Sequence, residues 1–219
     1  MSLRKTNFVQ GEYYHIYNRG NSKQKIFNDR EDYLRFFSLL YVSNSSESFN
    51  LYDLNRNTNF NVYEIERINL LVDIGAFCLM PNHFHILITE KVESGIRKFM
   101  QKLSTAYSMY YNQKYKRTGG LFEGKFKSQH TNTDRHLKYL FSYIHLNPVK
   151  LIQKDWKEKG IKNKKEVLDY LNQYVYSSYL DFVGEKRIQN KILNIESFPQ
   201  YFPNKNSFLK EIFEWLALR

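Results

Sequence analysis

The sequence has one cysteine, Cys78, so no disulfide can form within the chain. Its place in an apolar run marks it as a small buried hydrophobe. Long hydrophobic runs are missing too. The longest apolar stretch, 68–80, carries Asp73 and is too short to span a bilayer. Residues 1–5 lack the apolar core of an export signal, and no basic amphipathic helix of the kind that lies on lipid is evident. These absences point to a cytoplasmic protein with no membrane association. There is no Walker-type glycine loop to cradle a nucleoside triphosphate. Acidic side chains are scarce: 33 Lys and Arg stand against 22 Asp and Glu, a formal net charge of +11. An excess of that size attracts polyanions, nucleic acid foremost. Apolar residues make up 42%, with 17 Phe and 18 Tyr, which is enough for a core and excludes global disorder.

Along the chain, 11–19 alternates and is aromatic, predicting a strand. Asn28 or Asp29 caps a helix to about Tyr41, with Tyr33, Phe36, Phe37 and Leu40 as its apolar stripe. Residues 43–61 are rich in Asn and Ser and read as a surface insertion. Strands are expected over 70–79 and 83–89, joined by a tight Pro81-Asn82 connection. Ser94 caps a long helix over about 95–115, whose stripe Ile96, Phe99, Leu103, Ala106, Tyr107 and Tyr110 belongs to the core. Arg97, Lys98, Lys102 and Lys114 lie on its other faces as candidate phosphate contacts. Residues 121–130 alternate, with Lys125 and Lys127 on one face, as a fourth strand. Thr133 or Asp134 caps a last helix that stops near Asn147, because Pro148 follows. The order β-α-β-β-α-β-α is a ferredoxin-like split βαβ of the α+β class. It implies a four-stranded antiparallel sheet with helices on one face, and a further helix after the last strand. Residues 184–219 form a tail ending in an amphipathic helix, whose Phe208, Ile212, Phe213, Trp215 and Leu216 need a surface to bury against.

Chemistry concentrates in Met80-Pro81-Asn82-His83-Phe84-His85-Ile86. Strand side chains alternate, so His83 and His85 stand on one side about 7 Å apart. Two neutral imidazoles so placed can share a divalent metal. On the last helix Tyr143 and Asn147 are four apart and share a face. A phenol is a poor nucleophile at neutral pH, but it can attack phosphorus when a metal polarises the phosphate. A carboxamide one turn away can bind the same metal. Tyr139, one turn earlier, is the rival nucleophile, and only the Asn147-Pro148 context favours Tyr143. His15 reads as support for the sheet, His136 as a polar group able to assist proton handling, and Lys162, Lys164 and Lys165 as a charged stretch.

Four ordered motifs carry a family resemblance. They are Tyr14-His15-Ile16-Tyr17-Asn18-Arg19-Gly20, 77–87 around the histidine pair, Gly120-Leu121-Phe122-Glu123-Gly124-Lys125-Phe126-Lys127-Ser128, and Tyr143-Ile144-His145-Leu146-Asn147-Pro148-Val149. Together they resemble the single-tyrosine transposases of the histidine-hydrophobe-histidine class, and within it the REP-associated tyrosine transposase branch. Tyr176-Ser177-Ser178-Tyr179 is similar to a downstream element of that branch. The resemblance covers about 10–183, taken as one catalytic domain (1–183) followed by the tail. It implies a metal-dependent single-stranded DNA endonuclease and strand transferase. Tyr143 would be the nucleophile that keeps a 5′-phosphotyrosine, and His83, His85 and Asn147 the ligands of Mg²⁺ or Mn²⁺. Arg19, Arg97, Lys98, Lys102, Lys125 and Lys127 would contact single-stranded or hairpin DNA, in a monomer or homodimer. The rival readings are a replication-initiator nuclease of the same class and a non-catalytic nucleic-acid-binding module. The latter would expose stacking aromatics on its sheet face.

Overall fold

The computed structural model describes residues 7–49 and 61–217, with side chains to residue 214. Strand β1 is Tyr13–Arg19, helix α1 Arg30–Val42, β2 Val72–Met80, β3 His83–Glu90, α2 Gly95–Lys114, β4 Lys127–Thr131 and α3 Asp134–Leu146. A 3₁₀ turn, Asn147–Leu151, prolongs α3. One-turn segments and two longer helices, α4 at Lys164–Gln173 and α5 at Lys205–Ala217, complete the chain. The strands lie in the order β2-β3-β1-β4, with every neighbouring pair antiparallel. This is the α+β, split-βαβ arrangement expected from the order of elements.

The strand periodicity divides the core in two. Tyr14 and Ile16 of β1 and Phe84, Ile86 and Ile88 of β3 face α1 and α2. Leu87 faces α3, together with Ala76, Cys78 and Met80 of β2. The sheet is therefore covered on both faces, not on one, because the helix after the last strand folds back under it. β2 contributes to both layers by alternation, and it carries a bulge between Ile74 and Ala76. One extra residue reverses the side-chain parity, so Val72 and Ile74 face the same core as Phe77 and Leu79. The bulged residue is Gly75, where a Cβ would lie 2.9 Å from the Phe198 ring.

Three boundaries differ from the sequence reading. The fourth strand begins only at Lys127. Gly124 has φ +71°, which breaks the extended run, and Leu121 and Phe122 turn into the α1–α2 core. Ser94 precedes α2 at φ +58° without a capping bond; the Glu90 carboxylate accepts from Ile96 N–H at 3.1 Å instead. The stretch 43–61 is not wholly a surface insertion. Ser43, Asn44 and Ser45 are buried, and Asn44 joins α1 to β2 through bonds with Leu71 N–H, Val72 N–H and the Val72 carbonyl. Residues 50–60 of that stretch lie outside the described residues.

The tail packs against the body. Phe208 and Ile212 of α5 are fully buried with Leu146, Trp156, Tyr179 and Leu180. The side chains of Trp215 and Leu216 lie outside the described residues. Tyr176-Ser177-Ser178-Tyr179 runs along the free edge of β2: Leu79 N–H donates to the Tyr176 carbonyl and Ser178 N–H to the Phe77 carbonyl, both at 2.9 Å. The Ser178 hydroxyl accepts from Phe77 N–H and lies 2.7 Å from His145 Nε2, tying β2 to α3. Among the described residues no helix is long and apolar enough to cross a membrane.

Candidate active site

The site forms where β1, β3 and α3 meet. Alternation along β3 puts His83 and His85 on the α3 side, opposite Phe84, as the His-x-His spacing requires. Their ring centroids are 4.9 Å apart and perpendicular. The Pro81-Asn82 connection that leads into His83 is anchored from outside. The Pro81 carbonyl accepts from Ile26 and Phe27 N–H, and the Asn82 carbonyl from Gly20 N–H. The Asn82 side-chain oxygen lies 2.6 Å from His83 Nδ1. A carboxamide oxygen only accepts, so Nδ1 carries the proton and Nε2 keeps its lone pair.

His85 is held from the neighbouring strand. In the β1–β3 register Tyr17 faces His85 and His15 faces Leu87, which makes His15 the diagonal neighbour of His85. His15 Nε2 lies 2.8 Å from His85 Nδ1, and the rings stack at 5.0 Å. His85 Nε2 is buried and has no hydrogen-bond partner. An orphaned imidazole nitrogen is costly in a dry site unless something occupies its lone pair. If His85 Nδ1–H donates to His15, Nε2 is the free lone pair, the arrangement by which metal-binding histidines are oriented. Burial drives all three imidazoles toward the neutral form. His83 is pushed down to about 4 by burial and then by Lys150, Lys157 and Arg19. His15 also falls to about 4, by burial and then by His136 and Lys157, and His85 falls well below its ordinary value.

The Tyr143 ring lies edge-on to both inner histidines, at 5.6 Å from His85 and 5.8 Å from His15. Lys157 Nζ stands 4.1 Å from the centre of that ring. Burial raises the Tyr143 phenol above its ordinary pKa, while Asn147 and the Lys150 charge pull it back. Asn147 is buried where α3 passes into the 3₁₀ turn, and its side-chain N–H donates to the Tyr143 carbonyl at 2.8 Å. That commits the nitrogen and leaves the oxygen as the atom a cation would take. Tyr139 stacks on Tyr143 at 5.8 Å, and His136 stacks on Tyr139. Among the described residues no three His, Cys, Asp or Glu side chains converge as a cage. The donor chemistry nevertheless suits a divalent ion: two adjacent imidazoles that burial keeps neutral, and a carboxamide beside Tyr143, are the mixed nitrogen and oxygen types such ions accept.

A cleft of about 630 Å³ opens beside His83. Arg19, Lys23, Lys127, Lys150 and Lys154 line it, and no lining residue is acidic. Arg19 makes a forked ion pair with Glu123, its Nη2 lying 2.9 Å from Oε1. Arg97 and Lys125 line a separate cleft, so Lys125 and Lys127 do not share a face. Two expected phosphate contacts are engaged elsewhere. The Lys102 ammonium donates to the Ser45 carbonyl at 2.6 Å and to the Glu47 carbonyl. Lys114 is paired with Asp29, Glu31 and Asp32. Lys98 is exposed and lines neither cleft. Sequence reasoning did not single out Lys23, Lys150 and Lys154, which line the cleft, Lys157, which lies over Tyr143, or the contact of His15 with His85.

Residues 64–147 match the family model described as "Transposase IS200 like". The matched segment contains His83, His85, Tyr143 and Asn147. No curated protein matches the chain. A solved structure of a REP-associated tyrosine transposase bound to a REP hairpin aligns at 14% identity and TM-score 0.47, covering 86% of this chain and 90% of that one. A tRNA(His) guanylyltransferase from Saccharomyces cerevisiae aligns at 12% identity and TM-score 0.37, covering 94% and 86%. Neither structural likeness is strong enough to carry a functional conclusion. The family match and the four ordered motifs agree: over the matched segment the chain is similar to IS200-like transposases.

Proposed function

We propose that the chain cleaves and rejoins single-stranded or hairpin-bearing DNA through Tyr143, with the help of Mg²⁺ or Mn²⁺. One observation carries the reading. His85 Nε2 is buried without a partner, its other nitrogen is held by His15, and His83 and the Tyr143 ring stand beside it. His83, His85 and the Asn147 oxygen would hold the metal. When bound, it would polarise the scissile phosphate and offset charge on its oxygens. Tyr143 Oη attacks phosphorus, giving up its proton to solvent. The Oη–P bond forms as the P–O3′ bond breaks, and the departing oxygen takes a proton to become a 3′-hydroxyl. The product is a 5′-phosphotyrosine. Attack by another 3′-hydroxyl reverses the step without ATP, because one phosphodiester has been exchanged for another.

The cations of the cleft bind the strand and bring its phosphate to Tyr143, and Lys157 holds the ring. A sheet covered on both faces gives less support to a binding module that stacks bases on exposed strand aromatics. The test is the trapped complex. With single-stranded DNA and Mn²⁺, the native protein should yield a covalent adduct, and Tyr143→Phe should bind DNA but yield none. An adduct formed in excess chelator would remove the metal from the account.

A further inference from the structure

Two clefts open on either side of residues 124–127. The first is the cationic cleft beside His83. The second, of about 650 Å³, lies between α2 and the 124–126 loop. Asn18, at the end of β1, lines both. The short segment between them sends Lys125 into the second and Lys127 into the first.

The second cleft has the composition of a strand-binding groove. Arg97, Gln101, Ser104 and Thr105 fall at i, i+4, i+7 and i+8 of α2, a single helical face. It is not the face that packs on the sheet through Ile96, Phe99, Leu103 and Tyr107. Ser104 and Thr105 are short, which leaves room, and their hydroxyls with the Gln101 carboxamide offer donors and acceptors suited to base edges or sugars. Arg97 and Lys125 supply positive charge on opposite walls, and no lining residue is acidic. Gly124, at φ +71°, leaves the rim open: a Cβ there would meet nothing within 4 Å. Asn18 is fixed by its bond to the Gly124 carbonyl at 3.2 Å, so the passage between the clefts has a set wall.

We propose that the second cleft is a subsite for single-stranded DNA, which takes nucleotides that continue from the scissile phosphate over the 124–127 rim. The proposal rests on the function given above. It adds a second place of contact, so that one strand is gripped on both sides of the sheet edge.

Equilibrium binding in chelator, where no cleavage interferes, tests it. The probe is fluorescent oligo-dT lengthened one nucleotide at a time. The native protein should gain affinity once a strand spans both clefts. Arg97→Ser combined with Lys125→Ser should abolish that gain and weaken long strands by about tenfold. It should also lower the log–log salt slope by about 1.4, the effect of two phosphate contacts. Ser104→Tyr keeps every charge but fills the cleft, and it too should lose the length-dependent gain. Retention of the gain in both variants overturns the proposal. So does equal weakening of short and long strands, which would mean diffuse attraction, or weakening confined to duplex probes. If the native protein binds no single strand at all, the proposed function fails first and the subsite with it.

Discussion

At the residue scale the site depends on which nitrogen of each histidine is free. The common facing of His83 and His85 was legible because strand alternation fixes it, whereas only the Asn147-Pro148 context and the family resemblance favoured Tyr143 over Tyr139. The role of His15 was not. It comes from the β1–β3 register, which joins positions 70 apart, and no local pattern encodes that. Lys102 and Lys114 misled for the same reason, since their partners come from other parts of the chain. If His15 orients His85, His15→Ala should weaken Mn²⁺ binding by roughly ten- to hundredfold in calorimetry while the fold persists. Unchanged affinity would reduce His15 to a packing residue. His145 gives a different readout. Burial pushes it down to about 3, against about 6.5 in the unfolded chain. Between those values the unfolded state binds more protons. Its contribution to stability is therefore complete above about pH 6.5 and is lost as pH falls toward 3, by up to ~1.4 kcal/mol per pH unit. Urea unfolding at stepped pH should show a shallower decline for His145→Gln than for the native protein. Identical slopes would contradict a neutral buried imidazole.

At the element scale the order of strands and helices followed from periodicity, and the capping signals at Asp29 and Thr133 begin their helices as expected. The failures each have a local cause. A positive-φ glycine ended the apparent alternation before β4, and the Glu90 carboxylate four residues upstream replaced Ser94 as the cap of α2. The Asn-rich stretch after α1 looked like loop because Asn44 is polar. Its amide in fact completes backbone bonds that β2 leaves open. Asn44→Ala would leave two N–H groups and a carbonyl buried without partners, so we expect a loss of roughly 3 kcal/mol in denaturant unfolding. A loss under about 0.5 kcal/mol would mean that solvent reaches these groups.

At the scale of the whole molecule, sheet and tail are joined through α3, which packs on the sheet through Leu137 and Ile144 and adjoins the tail at Leu146. Phe208→Ala should therefore cost about 3–5 kcal/mol and lower a single unfolding transition. A separate, early transition would instead make the tail its own unit. The net charge of +11 and the acid-free clefts suit a polyanionic substrate, but the central claim is narrower: Tyr143 is the atom source of the covalent link. It is tested most directly by trapping the native protein on single-stranded DNA with Mn²⁺, digesting both, and locating the nucleotide by mass spectrometry. The account predicts one modified peptide, with the nucleotide on Tyr143, and no adduct from Tyr143→Phe. A nucleotide on Tyr139, which stacks one turn away, or an adduct that survives Tyr143→Phe, would contradict it.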